Sequence, residues 1–391
     1  MTRLGNGTVG LLYLALGLCQ PALAWELMEE RLFFNSYGTL GIATLDDSEV
    51  AITNNHEQSI DDNPSAGYDS RIGLQLEYRL ANSWSLAWQG LGFKDGDNSY
   101  TLTTKWAYLS YDATPWLNLR LGRFITPFYM ISEQRYVGYS QPWARPPLEV
   151  YGDENEFDTS EGLWASLVLP TTNINSTLEV FVSRLDQARS DFDVELSPIV
   201  GAVLSLSRHN VSLRLMAARL PIELESAELE GLETLLQQPN AEHDYDLDAM
   251  FRYYNVGLQY SDLNWLGMME YVQNRADSHF YPEIEAFTVT AGRHVESVLL
   301  YVLYAKRAAL NNDSESGLTG AANVAANGII DRRKARDQST LGVGVRWDVT
   351  PGVALKGQWD HVRVKPGDRG GFDRAPDGHV NVFTLSGDWA F

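Results

Sequence analysis

The residues able to act together chemically lie in and around one unusual stretch. From Gly122-Arg123-Phe124-Ile125-Thr126-Pro127-Phe128 through Val137-Gly138-Tyr139 and Trp143-Ala144-Arg145-Pro146-Pro147 to Val150-Tyr151-Gly152, the chain keeps no period of 2 or of 3.6. It runs on to Asp158, far beyond the usual connection of about 4–6 residues, and its prolines and aromatics make it stiff. It carries Glu133, Glu149 and Asp153, and flanking segments offer Arg71, Arg120 and Arg123, with Arg214 and Lys356 further along. Carboxylates facing guanidinium groups across a gap set a transverse field. Such a field orders water and penalises apolar solutes, and a ring of charge sets ion preference. Arg135 and Arg145 sit on the stretch itself, where salt bridges pinning it to its surroundings are an equal reading. The alternative for the whole stretch is an ordinary well-packed surface loop.

Other chemistry finds little support. The chain has no Gly-x-Ser-x-Gly elbow, no His-Glu-x-x-His and no phosphate-binding Gly-rich loop with its Lys. The histidines at 56, 209, 243, 279, 294, 361 and 379 are scattered. His56 near Asp61-Asp62, or Asp313 near Glu315, would suit a divalent cation, but a solvated acidic loop is the commoner meaning of such clusters. No catalytic residue, metal site or cofactor is expected.

Residues 1–24 read as a secretory signal peptide. Arg3 supplies the positive start, Val9 to Leu18 the apolar run, and Ala22-Leu23-Ala24 a small-x-small cleavage site before Trp25. Cys19 is the one cysteine, so a mature chain of residues 25–391 has none, which excludes a disulfide-stapled fold. The net charge of -21 argues against nucleic acid or an anionic membrane surface as partner.

The elements that position the charges are strands. Ile72, Leu74, Leu76, Tyr78 and Leu80 share one face, while Arg71, Gly73, Gln75, Glu77 and Arg79 share the other, which is the period-2 signal. Leu117, Leu119 and Leu121 oppose Asn118 and Arg120; Arg123 departs from that parity, implying a bulge or the strand's end. Leu32 to Leu45 is the first strand, and Phe383, Leu385, Gly387, Trp389 and Phe391 end the last. About sixteen strands result. Short turns follow Leu80, Tyr111, Leu169, Ser207, Ser261, Arg293 and Val349. The alternate connections are mostly long and polar, as at Asp46–Gly67, Leu220–Asp246, Ala309–Arg336 and Lys365–Gly378. Short turns at one end and long loops at the other suit a membrane barrel. Tyr78, Trp84, Tyr111, Trp116, Tyr260, Trp265, Trp347, Trp389 and Phe391 lie beside short turns or the terminus, as an interfacial girdle would. Hydrocarbon offers a free strand edge no hydrogen bond, so the sheet must close. At about sixteen strands the interior holds water. Arg71, Arg79, Arg120, Arg214, Arg346, Lys356, Glu77, Asp348 and Asp360 point to that interior by parity. One segment departs from strand periodicity: Leu229, Leu232, Leu235 and Leu236 predict a short helix within Ile222 to Gln238.

The expected fold is therefore all-β: a transmembrane antiparallel up-and-down β-barrel of about 16 strands with a long third outer loop, residues 126–158, folded into the pore. The signal, the alternating strands, that loop, the terminal Asp388-Trp389-Ala390-Phe391, and the segments Trp106-Ala107-Tyr108-Leu109, Gly122-Arg123-Phe124 and Pro142-Trp143-Ala144-Arg145-Pro146-Pro147 resemble Gram-negative outer-membrane porins. The acid-rich tip motif of the best-known porins is not evident in the loop. The resemblance implies passive diffusion of small hydrophilic solutes and ions, and a homotrimer in outer-membrane lipid and lipopolysaccharide. It also implies that the barrel-assembly machinery recognises the strand closing on Phe391. A surface receptor or adhesin, or a barrel-hosted hydrolase, are the alternatives.

Overall fold

Alternation of apolar and polar residues commits each segment to one lipid-facing and one interior face, and the computed structural model carries that pattern around a closed sheet. It describes residues 25–27, 31–53, 58–94, 99–152, 158–188, 193–225, 248–278, 280–310 and 336–391, with 231, 234, 318–320, 322–324 and 327–328. The strands are β1 (Trp25–Leu27), β2 (Leu32–Leu45), β3 (Ile52–Thr53), β4 (Ser59–Ile60), β5 (Arg71–Ala81), β6 (Trp84–Lys94), β7 (Tyr100–Thr114), β8 (Leu117–Ile125), β9 (Thr159–Leu169), β10 (Asn175–Ala188), β11 (Asp193–Arg208), β12 (Val211–Glu225), β13 (Ala249–Ser261), β14 (Trp265–Ala276), β15 (Ile284–Val295), β16 (Val298–Ala309), β17 (Gln338–Thr350), β18 (Val353–Val364) and β19 (His379–Ala390).

β2 and β5 to β19 pair antiparallel with their sequence neighbours, giving sixteen barrel strands, and β19 returns to β2 to close the ring. Ser36 and Phe391 exchange backbone hydrogen bonds of 2.9 and 2.8 Å, so the last residue belongs to the seam. β1 lies along the start of β2, and β3 with β4 forms a small hairpin in the first long connection. Seven connections are short, after Ala81, Thr114, Leu169, Arg208, Ser261, Val295 and Thr350. They share one end of the barrel with Phe391. At the last of them Gly352 takes φ 84°, which a side chain would strain.

The outward faces are apolar: Leu40, Ile42, Leu121, Leu163, Val302, Val343 and Leu385 stand exposed in the bare protein. At the short-turn end Trp84, Trp116, Trp265 and Trp347 are exposed too; Trp84 stacks on Tyr111 at 4.3 Å, and Arg293 covers Trp265 at 4.4 Å. The inward faces hold Gln89, Glu270, Thr288, Thr290, Arg307, Lys356, Gln358 and Asp388, all buried.

The helix expected within Ile222 to Gln238 begins later than its periodicity implied. Ile222–Glu225 finish β12, held by pairing with Ala249 on β13 and with β11, whose strand partners outweigh local helical spacing. Gly231 and Thr234 are helical, and the remainder lies outside the described residues, as do the leader 1–24, His56, Asp313 and Glu315.

Val343 sits midway along β17 on the lipid-facing side. Val343→Arg should lower folding free energy into lipid bilayers by about 2–4 kcal/mol, measured by reversible denaturant titration in vesicles. A loss below about 0.5 kcal/mol would contradict this facing.

Candidate functional site

The loop between β8 and β9 has no strand partner, so its backbone and aromatic side chains must find other company. They find it inside the barrel. Thr126 N donates to Asp158 O at 2.8 Å and closes the loop's base. Phe128 packs on Tyr253 of β13 with rings 5.1 Å apart. A 3-10 turn, Ser132–Gln134, a second, Gly138–Ser140, and a four-residue helix α1 (Leu148–Tyr151) follow. Tyr129, Ile131, Trp143, Val150 and Tyr151 bury themselves against Leu266, Met268, Leu299 and Leu303 on the inner wall. Burying such side chains is worth about 1.5–3 kcal/mol each, so their apolar character lays the loop's second half against β14 to β17.

Polar anchors fix where it lies. Glu270 of β14, fully buried, accepts hydrogen bonds from Met130 N at 2.7 Å, from Asn255 and from the Tyr151 hydroxyl. Burial and then the Glu270 charge push the Tyr151 pKa well above the usual tyrosine value, keeping that hydroxyl a donor. Trp143 donates to Thr290 Oγ1 at 2.9 Å. Gln358 of β18 accepts from Ala144 N at 3.0 Å and donates to Arg145 O at 3.0 Å. Arg346 donates to Tyr139 O and Gln141 O at 2.7 and 2.9 Å. Near the loop's base, Lys105 pairs with Asp158 at 2.9 Å, and the Tyr136 hydroxyl donates to the same carboxylate. Loop and wall approach so closely at Gly138 that a Cβ there would overlap the Asp388 carboxylate.

The residues singled out by sequence divide into anchors, an outward-facing pair and an accessible set. Lys356 is an anchor: its Nζ donates to Gly138 O at 2.7 Å and Trp143 O at 3.0 Å and pairs with Asp388 at 3.1 Å. Arg145 is buried in a bidentate pair with Asp69, just before β5. Arg135 donates to Tyr151 O at 2.9 Å, within the loop. Two expectations are corrected. Glu149, expected to face wall arginines across water, is 1% exposed; it accepts from Gln338 Nε2 at 3.0 Å and from Thr340, because α1 packs on β15 and β16 and turns this side chain toward β17. Arg123 keeps the parity of Leu119 and Leu121 and so stands on the outward face, paired at 2.6 Å with Glu161 on β9. It is no part of the interior. Asp153 lies outside the described residues.

Arg71, Arg120, Glu133 and Arg214 converge on the interior. Arg71 Nε donates to Tyr136 O at 3.1 Å. Arg120 Nη1 stands 3.5 Å from Glu133 Oε1, with the two side chains 26% and 49% exposed. Arg214 binds Asn255 Oδ1 at 3.2 Å and Pro127 O, and Glu179 of β10 and Glu133 act on it through space. Sequence reasoning missed Glu179, Glu270, Asp69, Lys105 and Asp388. Glu270 did leave a signal, as a lone acid at even spacing between Leu266, Met268 and Val272.

A closed ring of sixteen antiparallel strands, short turns at one end and a long third loop crossing the lumen together define the porin-type outer-membrane barrel fold. No family model matches the chain, and no curated relative does. Among solved structures it is similar to the outer membrane channel DcaP of Acinetobacter baumannii, at 12% identity and TM-score 0.57 over 94% of this chain and 100% of that one. It is similar also to the anion-selective porin of Comamonas acidovorans, at 12% identity and TM-score 0.53 over 92% and 99%. The trimer form of OmpT, an outer membrane protein of Vibrio cholerae, matches at 11% identity and TM-score 0.54 over 92% and 99%.

Glu270→Ala leaves Met130 N, Asn255 and Tyr151 facing an empty site. A buried donor without its acceptor costs about 1–3 kcal/mol. Hydrogen exchange at the amides of 128–134 and 148–152 should therefore speed up at least about tenfold. Unchanged exchange would show that apolar packing alone holds the loop.

Proposed function

We propose that this chain is an outer-membrane porin, exported by removal of residues 1–24 and passing small hydrophilic solutes and ions by passive diffusion. The observation that carries the reading is the Arg120–Glu133 pair. The loop's other acids within the described residues, Glu149 and Asp158, are buried against the wall, yet this pair remains half in water inside the barrel. Opposed charges that stay hydrated within a low-dielectric ring order water across the gap and penalise apolar solutes. Glu179 and Arg214, which donates to Asn255 and Pro127 O, add charge of both signs to the same interior. Loop 126–158 acts as the constriction through Glu133, not through Glu149.

The porin neighbours support a non-enzymatic channel, and the trimer form of Vibrio OmpT supports a homotrimer here. The apolar belt would face outer-membrane lipid and lipopolysaccharide. The seam residue Phe391 would be what the barrel-assembly machinery reads. A surface receptor or a hydrolase gains support from no particular residue of the interior.

Purified protein in planar bilayers should give discrete open steps; silence from correctly folded protein would overturn the reading. Arg120→Glu reverses one charge beside Glu133. The change is two charge units, so at about 1 kcal/mol per unit in a hydrated site it should raise the cation-to-anion permeability ratio by roughly thirtyfold or more. An unshifted reversal potential would remove Arg120 from the conduction path.

A further inference from the structure

A cavity of about 100 Å³ lies between the inserted loop and the inner wall at the start of β5 and the end of β6. Both strand ends belong to the long-loop end of the barrel. Its charged lining is Asp69, Arg71, Lys94, Arg135 and Arg145, four cations against one carboxylate. That carboxylate is already taken, because Arg145 holds Asp69 bidentately. Among the described residues, neither Arg71 nor Lys94 has an acidic partner within ion-pair distance, and Arg71 spends only its Nε on Tyr136 O. The surplus of positive charge stands in a protein whose net charge is -21, so it is local and built. Two of the cations come from the loop and two from the wall, which makes the site a product of loop insertion.

The rest of the lining selects among anions. Tyr68, Phe93 and Leu148 present apolar surface, and Arg145 lies over the Tyr68 ring at 5.2 Å. Inorganic phosphate has no use for such walls, whereas an acid with a short carbon body covers them. A guanidinium fork matches a carboxylate through two parallel hydrogen bonds, and Lys94, which pairs with the outward-facing Tyr100 at the end of β6, adds an undirected charge at the cavity's rim. The volume corresponds to about three waters at roughly 30 Å³ each, room for about five heavy atoms.

We infer that this cavity binds a small organic monocarboxylate, with Arg71 as its charge partner, Lys94 as a second charge at the rim and the Tyr68–Phe93 side as its apolar wall. A solute arriving from the long-loop end meets the site before it meets Glu133 and Arg120. The inference concerns equilibrium binding and stands whether or not the barrel conducts.

The test is saturation-transfer NMR of detergent-folded protein titrated with propanoate, with far-UV circular dichroism to verify each variant's fold. Wild type should show saturable binding that weakens as salt is raised. Arg71→Gln and Lys94→Gln should each reduce affinity by about tenfold. Lys94, at a strand end, carries the test by itself if Arg71→Gln does not fold. Absence of saturable propanoate binding, or affinity unchanged in the Lys94 variant, would overturn the assignment. So would displacement of propanoate by an equal concentration of inorganic phosphate. Propanoate binding in a protein that gives no channel steps would leave the site standing and remove the porin reading.

Discussion

Hydrocarbon has no hydrogen bond to give, and that requirement organises everything else in the molecule. A sheet in lipid must close on itself, and here the closure is the β2–β19 pairing, extended by Ser36 and Phe391. Closure commits alternate residues of every strand to opposite solvents. Leu121, Val343 and Leu385 go to lipid, and Arg120, Arg346 and Lys356 go inside. Because a ring of sixteen strands is too wide for wall side chains to fill, the interior needs a second occupant or water. This chain supplies some of each.

The occupant is the loop between β8 and β9, held by two kinds of force that act together. Trp143, Val150 and Tyr151 drive it onto the wall, while Glu270, Gln358, Lys356 and Arg346 specify where its carbonyls and amides come to rest. Buried charge is expensive unless fully paired, and here the pairing is dense. Lys356 meets Asp388 and two carbonyls, and Arg145 meets Asp69 through two bonds. Such anchors add less net stability than their number implies, but they oppose any other placement of the loop. The charges left in contact with water, Arg120 and Glu133 above all, are those that no anchor required.

The strands were legible because their signal is local. β2 was read at Leu32 to Leu45, the bounds it has, and turns were misplaced by only a few residues, since pairing carries strands such as β7 past their last apolar position. The helix expected within Ile222 to Gln238 does not include Ile222–Glu225 for the same reason: Ile222 pairs with Ala249 on β13 and Glu223–Glu225 with Asp193–Glu195 on β11. The site was half legible. Parity identifies the inward arginines; Arg123, expected at a bulge or the strand's end and facing the loop's acids, instead continues β8 on the outward face beside Glu161. Glu149 went wrong because charge was read without the neighbouring Val150 and Tyr151, whose burial takes it along. Which groups Glu270, Asp69 and Asp388 would meet was out of reach, since Met130, Arg145 and Thr39 lie 140, 76 and 349 positions away in the chain. No local spacing encodes such meetings.

The central claim is that one face of each strand meets lipid and the other a water-filled interior crossed by the loop. With Cys19 the chain's one cysteine, a single cysteine introduced beyond the leader reports on its own surroundings. Single cysteines at Glu133, Glu179 and Ser205, which pairs with Arg214 and shares its inward face, should in lipid vesicles react fully with a charged, membrane-impermeant thiol reagent. Those at Val302, Val343 and Leu385 should react only with a lipid-soluble one. The reverse pattern, or equal reaction at both sets, would contradict the account.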